Sequence, residues 1–246
     1  MNTLINVARY HLAKRVDYLV LPWVWLAFAF TVDIVIFAMI PIGHHSVLTA
    51  HGLVQVQVQD NSPRDAGGLG AIIAIFFVLG IQSVAKSLPF ALAIGVSRRS
   101  YYAGTALLAV TLAFCYGLVI TVLQAIERAT SGWGVQTHIF RVPYILSGPW
   151  YQTWLTMFVA LTLLFGYGMW FGIVFRRWSL TGSLAFSAAQ VTVLVAAALM
   201  ITWSHSWRGT GHFFTTLSGI GLTGVLAALA AALLAGGYAT IRRVAI

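Results

Sequence analysis

Charged residues are scarce in this chain of 246 residues. Lys and Arg number 14, Asp and Glu number 5, and charged residues make up 8% of the sequence against 60% hydrophobic residues. An average soluble domain carries about 25% charged residues, so the composition excludes an ordinary soluble protein. A membrane span needs about 20 mainly apolar residues. Runs without any charge that meet this length are found at 100–126, 142–175, 178–207 and 209–241.

Cysteine and the common catalytic motifs are also nearly absent. The single cysteine, Cys115, excludes an intramolecular disulfide, a CxxC redox pair and a metal site built from several cysteines. The sequence has no GxxxxGK[ST] phosphate loop, no HExxH motif and no GxSxG nucleophile elbow. We therefore expect no catalytic site, metal ion or cofactor in this chain, and no ATP hydrolysis by the chain alone.

The apolar segments predict an all-α membrane protein, with residues 1–246 forming a single transmembrane domain. Trp and Tyr residues cluster at the ends of the segments, as in an interfacial aromatic belt. Six transmembrane helices are expected, at about 20–42, 69–87, 101–125, 152–175, 180–203 and 218–240.

Basic residues set the expected orientation of these spans. With both termini on one side, ten of the 14 Lys and Arg lie on that side, and four, Arg64, Arg128, Arg141 and Arg208, lie on the other. Cytoplasmic loops carry the excess of basic residues, so both termini are expected in the cytoplasm. We attribute the net charge of +9 to the basic residues that set the membrane topology, and we expect no nucleic-acid partner.

The segment 1–19 has the pattern of an amphipathic helix lying on membrane lipid. It is either a basic anchor or an elbow helix that couples the first span to a moving cytoplasmic partner. At 100° per residue its apolar residues fall on about a third of the helical circumference, and they are Leu4, Ile5, Ala8, Leu12, Val16 and Leu19.

The connection between the second and third spans carries the densest pattern. Ser87 can cap a short helix, Pro89 suits its first turn and Gly95 suits its end, while a serine at 97 or 100 can cap the next span. Two interpretations stay open: a basic turn that only fixes topology, and a coupling helix that docks into an ATPase subunit. In the second, residues 88–100 form a stiff cytoplasmic helix that presents Phe90, Ala91, Ile94, Arg98 and Arg99.

This stretch resembles a pattern in the permease subunits of ABC-type exporters, in the six-span type V-like superfamily. Here it reads Leu88-Pro-Phe-Ala-Leu-Ala-Ile-Gly-Val-Ser-Arg-Arg-Ser-Tyr-Tyr-Ala-Gly104. The resemblance implies a multi-pass permease in the cytoplasmic membrane of a prokaryote, paired with a second permease as a homo- or heterodimer. It also implies a separately encoded ATP-binding subunit, which carries ATP and Mg, and export of a drug, a peptide or a lipid-like substrate.

Polar residues within the spans are candidates for a translocation cavity. Asp33 lies near the middle of the first span, where a charged side chain is costly, so it is expected to face the bundle interior or a watery cavity. It either attracts a cationic substrate or makes a structural hydrogen bond. Gln82 and Gln124 are the further cavity candidates, although these amides and Gln190 also suit hydrogen bonding between helices.

Small residues at four-residue spacing predict close helix packing. The contacts are expected within the subunit or at the interface between two permeases. The residues are Gly168 and Gly172 in the fourth span and Gly224, Ala228, Ala232 and Gly236 in the sixth.

External histidines and one polar group supply the alternatives to an exporter. Six histidines are expected on the external side, and they either bind a metal ion or haem or are ordinary solvated side chains. These histidines are His44, His45, His51, His138, His205 and His212. A membrane enzyme acting on a lipid carrier would use His51, Asp60, Arg64 and Asp65. A membrane sensor or scaffold would need neither a coupling helix nor Asp33.

Overall fold

The computed structural model describes residues 20–39, 46–49, 52–55, 64–65, 68–133, 137–140, 148–216 and 218–241. Its elements in chain order are α1 (Leu21–Met39), β1 (Ser46–Thr49), β2 (Gly52–Gln55), β3 (Arg64–Asp65), α2 (Gly68–Ala85), α3 (Ser87–Ala93), α4 (Arg98–Ala129), β4 (Thr137–His138), α5 (Trp150–Trp203), α6 (Trp207–Thr216) and α7 (Gly219–Ile241). β1 and β2 pair antiparallel, and β3 and β4 pair in parallel. The fold is otherwise helical. The expected amphipathic helix at 1–19 lies outside the described residues.

Four helical stretches are long and apolar enough to cross a membrane. They are Leu69–Ala93, which joins α2 and α3, Arg98–Ala129, Trp150–Trp203 and Gly219–Ile241. A shorter apolar helix covers Leu21–Ile36. Apolar helices of this length indicate a multi-pass membrane protein, because a helix satisfies its own backbone hydrogen bonds within lipid.

The 54-residue helix α5 is divided into two arms at Ser179. This residue has φ 59° and ψ −155°, and these backbone angles are not helical. Tyr167 donates a hydrogen bond to Gln190, and the rings of Trp170 and Phe171 both contact Phe186. Because these residue pairs are centred on the kink, the arms 150–178 and 180–203 run antiparallel as a hairpin.

The close contact between α2 and the first arm of α5 is made by glycines. A Cβ added to Gly168 would lie 3.0 Å from Gly80 Cα and 3.1 Å from Ile81 N, and one added to Gly172 would lie 2.9 Å from Ile81 O. Gly168 and Gly172 therefore pack within the subunit, the first of the two arrangements expected. The pairs also show that α2 and this arm run in the same direction, so Lys86 and Arg176 lie near the same end of the bundle.

The ladder on α7 does not pack in this way. Gly224, Ala228 and Ala232 are exposed, and a Cβ added at Gly224 or Gly236 meets nothing within 4 Å. The expectation of contacts within the subunit is therefore wrong for this ladder among the described residues. The helix instead uses a neighbouring face, where Thr223 shares a 2.7 Å hydrogen bond with Thr156 and Tyr102 donates to Leu234 O at 2.8 Å.

The first helix is displaced along the bundle relative to α4. Trp23, close to the start of α1, stacks on Tyr116 with 4.8 Å between ring centroids, and Phe30 contacts Trp133 at 4.9 Å. At 1.5 Å per residue, Tyr116 lies about 27 Å along α4 from Arg98. The described part of α1 thus begins beside the middle of α4 and ends beyond the level of its last turn.

Candidate functional site

Pro89 separates the short helix α3 from α2. Proline lacks a backbone N–H and its ring clashes with the carbonyl four residues earlier, here that of Ala85. The helix breaks at Lys86, whose Nζ donates to Gln82 Oε1 at 3.1 Å. Lys86 holds the N-cap position, so the expected cap by Ser87 is wrong; Ser87 is the first residue of α3, and no side chain caps the helix.

Gly95 ends this helix in a Schellman motif. Its φ is 84°, a value that a side chain disfavours. Gly95 N donates to Leu92 O and Val96 N donates to Ala91 O, both at 3.0 Å, which satisfies two carbonyls at the helix end. The predicted glycine terminator is confirmed, but the helix covers Ser87–Ala93 and not 88–100.

Ser97 begins the next helix, as one of the two expected serine caps. Its hydroxyl accepts a hydrogen bond from Ser100 N at 3.2 Å, and its backbone is extended. Tyr101, fully buried, donates to Ser83 O across the turn. The connection between α2 and α4 is therefore fixed at both ends by hydrogen bonds and by a buried ring.

This turn exposes one face and buries the other. Phe90 is 50% exposed and Ile94 is 61% exposed, whereas Ala91 is 3% exposed and packs in the core with Leu88. Ala91 therefore does not belong to the face expected to contact a partner, which corrects the sequence prediction. The face consists of Phe90 and Ile94.

The two arginines that follow differ in exposure. Arg99 is exposed and Arg98 is half-buried at the start of α4. Both lie directly after the capped turn, on the side of the bundle that also carries Lys86. An apolar face with adjacent positive charge suits a partner that offers an apolar cleft and acidic groups.

The three expected cavity residues occupy different places. Asp33 is half-buried in α1, and Gln82 is half-buried in α2 beside Lys86. Gln124 is buried in α4, where Nε2 donates to Phe140 O at 3.4 Å and Oε1 accepts from Arg128 at 3.4 Å. Gln124 thus connects a helix to the following segment, the structural alternative for this amide. The Tyr167–Gln190 bond assigns the same role to Gln190.

The histidines expected on the external side and the group considered for an enzyme are only partly described. In the described part of the chain, no three His, Cys, Asp or Glu residues are close enough to hold a metal ion together. His44, His45, His51 and Asp60 lie outside the described residues, Arg64 and Asp65 form β3, His138 lies in β4, His205 in the turn before α6, and His212 on α6.

Glu127 is the residue that the sequence analysis overlooked. It lies just beyond the expected third span, 101–125, yet it is 1% exposed in the last turn of α4. One carboxylate oxygen, Oε2, accepts hydrogen bonds from Ile139 N at 3.0 Å, Phe140 N at 2.9 Å and Trp133 Nε1 at 3.2 Å. A buried charge needs such donors, so Glu127 fixes the segment that follows α4. The only sequence indication was a carboxylate directly after an apolar run.

Next to this carboxylate lies an apolar pocket of about 260 Å³. Aromatic rings form much of its wall, since Phe30, Trp133 and Phe140 contact one another. Its lining is made by Trp23, Leu26, Ala27, Phe30, Val119, Leu123, Trp133 and Phe140. Asp33, Gln82 and Gln124 are not part of this lining, so the pocket differs from the polar cavity expected from the sequence.

Comparison with protein families, with characterised proteins and with solved structures finds no match to this chain. The resemblance of residues 88–104 to exporter permeases therefore stays a prediction, and the functional argument depends on the geometry of the chain itself.

Proposed function

We propose that this chain is the permease subunit of an ATP-binding-cassette exporter. The observation that carries the proposal is the α2–α4 turn, which exposes Phe90 and Ile94 while Leu88 and Ala91 bury its other face. Apolar side chains exposed at the end of a membrane helix need a cover of lipid or of a partner protein, and the arginines that follow suit a partner with acidic groups. In the proposed role, this face inserts into a cleft of a separately encoded ATP-binding subunit, where ATP and Mg bind.

The same turn is built to transmit movement. The Schellman motif at Gly95, the Ser97 cap and the Tyr101–Ser83 hydrogen bond join it to two long helices. A displacement imposed on Phe90 by the ATPase would move the ends of α2 and α4 with it. α2 would carry that movement to the first arm of α5 through Gly80 and Gly168, where the two backbones are in contact.

The proposal includes six spans with both termini in the cytoplasm, in the cytoplasmic membrane of a prokaryote. Three observations support this topology for the helices from α2 to α7, whereas the described part of α1 begins beside the middle of α4 and does not cross the whole bundle. The kink at Ser179 divides α5 into two arms, and Lys86 and Arg176 lie near one end of the bundle. Tyr102, close to the start of α4, contacts Gly237 near the end of α7, so the end of α7 also lies on this basic side.

A second permease is expected to pair with this one. The exposed ladder of Gly224, Ala228 and Ala232 on α7 offers a surface of small residues on which a second backbone can approach closely. This is the interface alternative weighed from the sequence. No described feature favours an enzyme or a sensor over this arrangement.

The double substitution Phe90→Ala with Ile94→Ala tests the proposal. Complete burial of one such side chain is worth about 1.5–3 kcal/mol, and about half of each is exposed and can still be buried. Losing both is therefore expected to weaken ATPase binding by about 10-fold to 100-fold, at 1.4 kcal/mol per tenfold. The readouts are copurification of the ATPase from membranes and ATP hydrolysis stimulated by substrate.

The matched control is Leu194→Ala with Leu199→Ala, which removes two apolar side chains exposed on the second arm of α5. Both double variants should insert in the membrane, and the control should retain the ATPase. Normal ATPase binding and stimulation in the Phe90 and Ile94 variant would reject the proposed coupling face.

A further inference from the structure

The pocket beside Glu127 is suited to hydrocarbon alone. Its lining residues come from α1, from α4 and, beyond α4, from Trp133 and Phe140. The indole N–H of Trp133, one of the few polar groups near the pocket, is already donated to Glu127. Water is disfavoured in a space without polar partners, and about 260 Å³ left empty would forfeit packing contacts.

The surroundings of the pocket identify the occupant. Phe28 on the apolar helix α1 and Val122 on α4 are exposed apolar residues next to the lining in sequence, and Ile126 lies one turn beyond Leu123. Of these two helices, α4 is long and apolar enough to cross a membrane. The medium that meets these faces is lipid. Arg128, in the last turn of α4, lies about 7.5 Å beyond Leu123 along the axis, at a height suited to a phosphate group above an acyl chain.

We propose that this pocket binds one acyl chain of a membrane phospholipid, and that Glu127 is the positioning residue for its aromatic wall. Glu127 acts through the backbone of Ile139 and Phe140 and through the Trp133 ring, and it does not touch the lipid. The inference is independent of the proposed transport function, because it concerns the opposite end of α4 from the Phe90 face.

Photo-crosslinking to lipid tests the proposal. The full chain is reconstituted in phosphatidylcholine vesicles that carry a diazirine near the end of one acyl chain, and labelled peptides are quantified by mass spectrometry. We expect residues 119–123 to be labelled several times more strongly than 195–199, a mostly exposed stretch of the second arm of α5 outside the apolar pocket that Val193 and Leu194 line there. Equal labelling of the two stretches, or weaker labelling of 119–123 because another part of the chain covers the pocket, would overturn the proposal.

Two pairs of variants sharpen the test. Ala27→Phe places a ring in the pocket and should lower the enrichment about tenfold, whereas Ala125→Phe, on the opposite face of α4, should not change it.

Glu127→Ala should abolish the enrichment, and Glu127→Gln, which keeps an acceptor oxygen, should restore most of it. Thermal unfolding in detergent at the same temperature as the unaltered protein shows that each variant is folded. Unchanged enrichment in a folded Ala27→Phe variant would contradict lipid binding in the pocket. A loss of enrichment in Glu127→Gln as large as in Glu127→Ala would contradict the role of Glu127.

Discussion

Gly168 shows how a single hydrogen in place of a methyl group sets the distance between two helices. Its Cα faces the backbone of α2 at Gly80 and Ile81, and backbone atoms cannot move aside as the tip of a flexible side chain can. In lipid there is little hydrophobic force between helices, so such close packing carries much of their association.

Gly168→Ala is therefore expected to destabilise the protein. Overpacking typically costs about 1–3 kcal/mol, which corresponds to a fall in Tm of about 2–4 °C per kcal/mol in a protein of this size. Thermal unfolding in detergent measures it. The matched control is Gly70→Ala in α2, where nothing lies within 4 Å and the helix propensity of alanine is higher. Equal losses of stability in both variants would contradict the assigned packing.

Glu127 illustrates what residue patterns do not reveal. A carboxylate after an apolar run is usually a solvated charge at a helix end, and nothing in the sequence around Glu127 indicates otherwise. Its burial depends on the chain turning back so that Ile139 and Phe140 present their N–H groups to it. Such an arrangement comes from tertiary structure and leaves no regular spacing in the sequence.

Among the elements, the α2–α4 turn was the most predictable. Pro89, Gly95 and Ser97 act through their own backbone geometry, so their effects can be derived from the sequence alone. The burial of Ala91 could not be derived, because the side of a short helix that faces the core depends on the angle at which it leaves α2. The prediction therefore had the correct turn and one incorrect residue in its exposed face.

The turn between the two arms of α5 holds the backbone of one residue in a strained conformation. Ser179 has φ 59° and ψ −155°, a region that is populated almost only by glycine and costs other residues about 1–3 kcal/mol. Ser179→Gly is expected to raise the free energy of unfolding by up to about 1 kcal/mol, part of the gain being offset by the greater freedom of glycine in the unfolded chain.

Chemical or thermal unfolding of the Ser179 variant checks this expectation against Ser187→Gly. Ser187 is helical within the second arm, where glycine costs about 0.5–1 kcal/mol. The two substitutions should thus shift stability in opposite directions. A loss in Ser179→Gly as large as in Ser187→Gly would show that the backbone at 179 is not strained.

For the whole molecule, composition was sufficient to predict a helical membrane protein, since the apolar runs are too long and too uncharged for any soluble core. Which small-residue ladder packs inside the subunit was not predictable. Gly168 and Gly224 share the same spacing to a small residue four positions on, yet one faces α2 and the other faces outward. Helices in lipid can present either face, so only the packed structure distinguishes them.

A photo-crosslink from position 90 tests the permease proposal most directly. A photoreactive phenylalanine analogue replaces Phe90 in the full chain, which is co-expressed with a phosphate-loop ATPase encoded by an adjacent reading frame and illuminated in membranes. We expect a crosslinked product between the two proteins, and none when the same analogue replaces Leu194 on the second arm of α5. Absence of a product from position 90, or a product from Leu194 alone, would contradict the coupling face and the exporter assignment that depends on it.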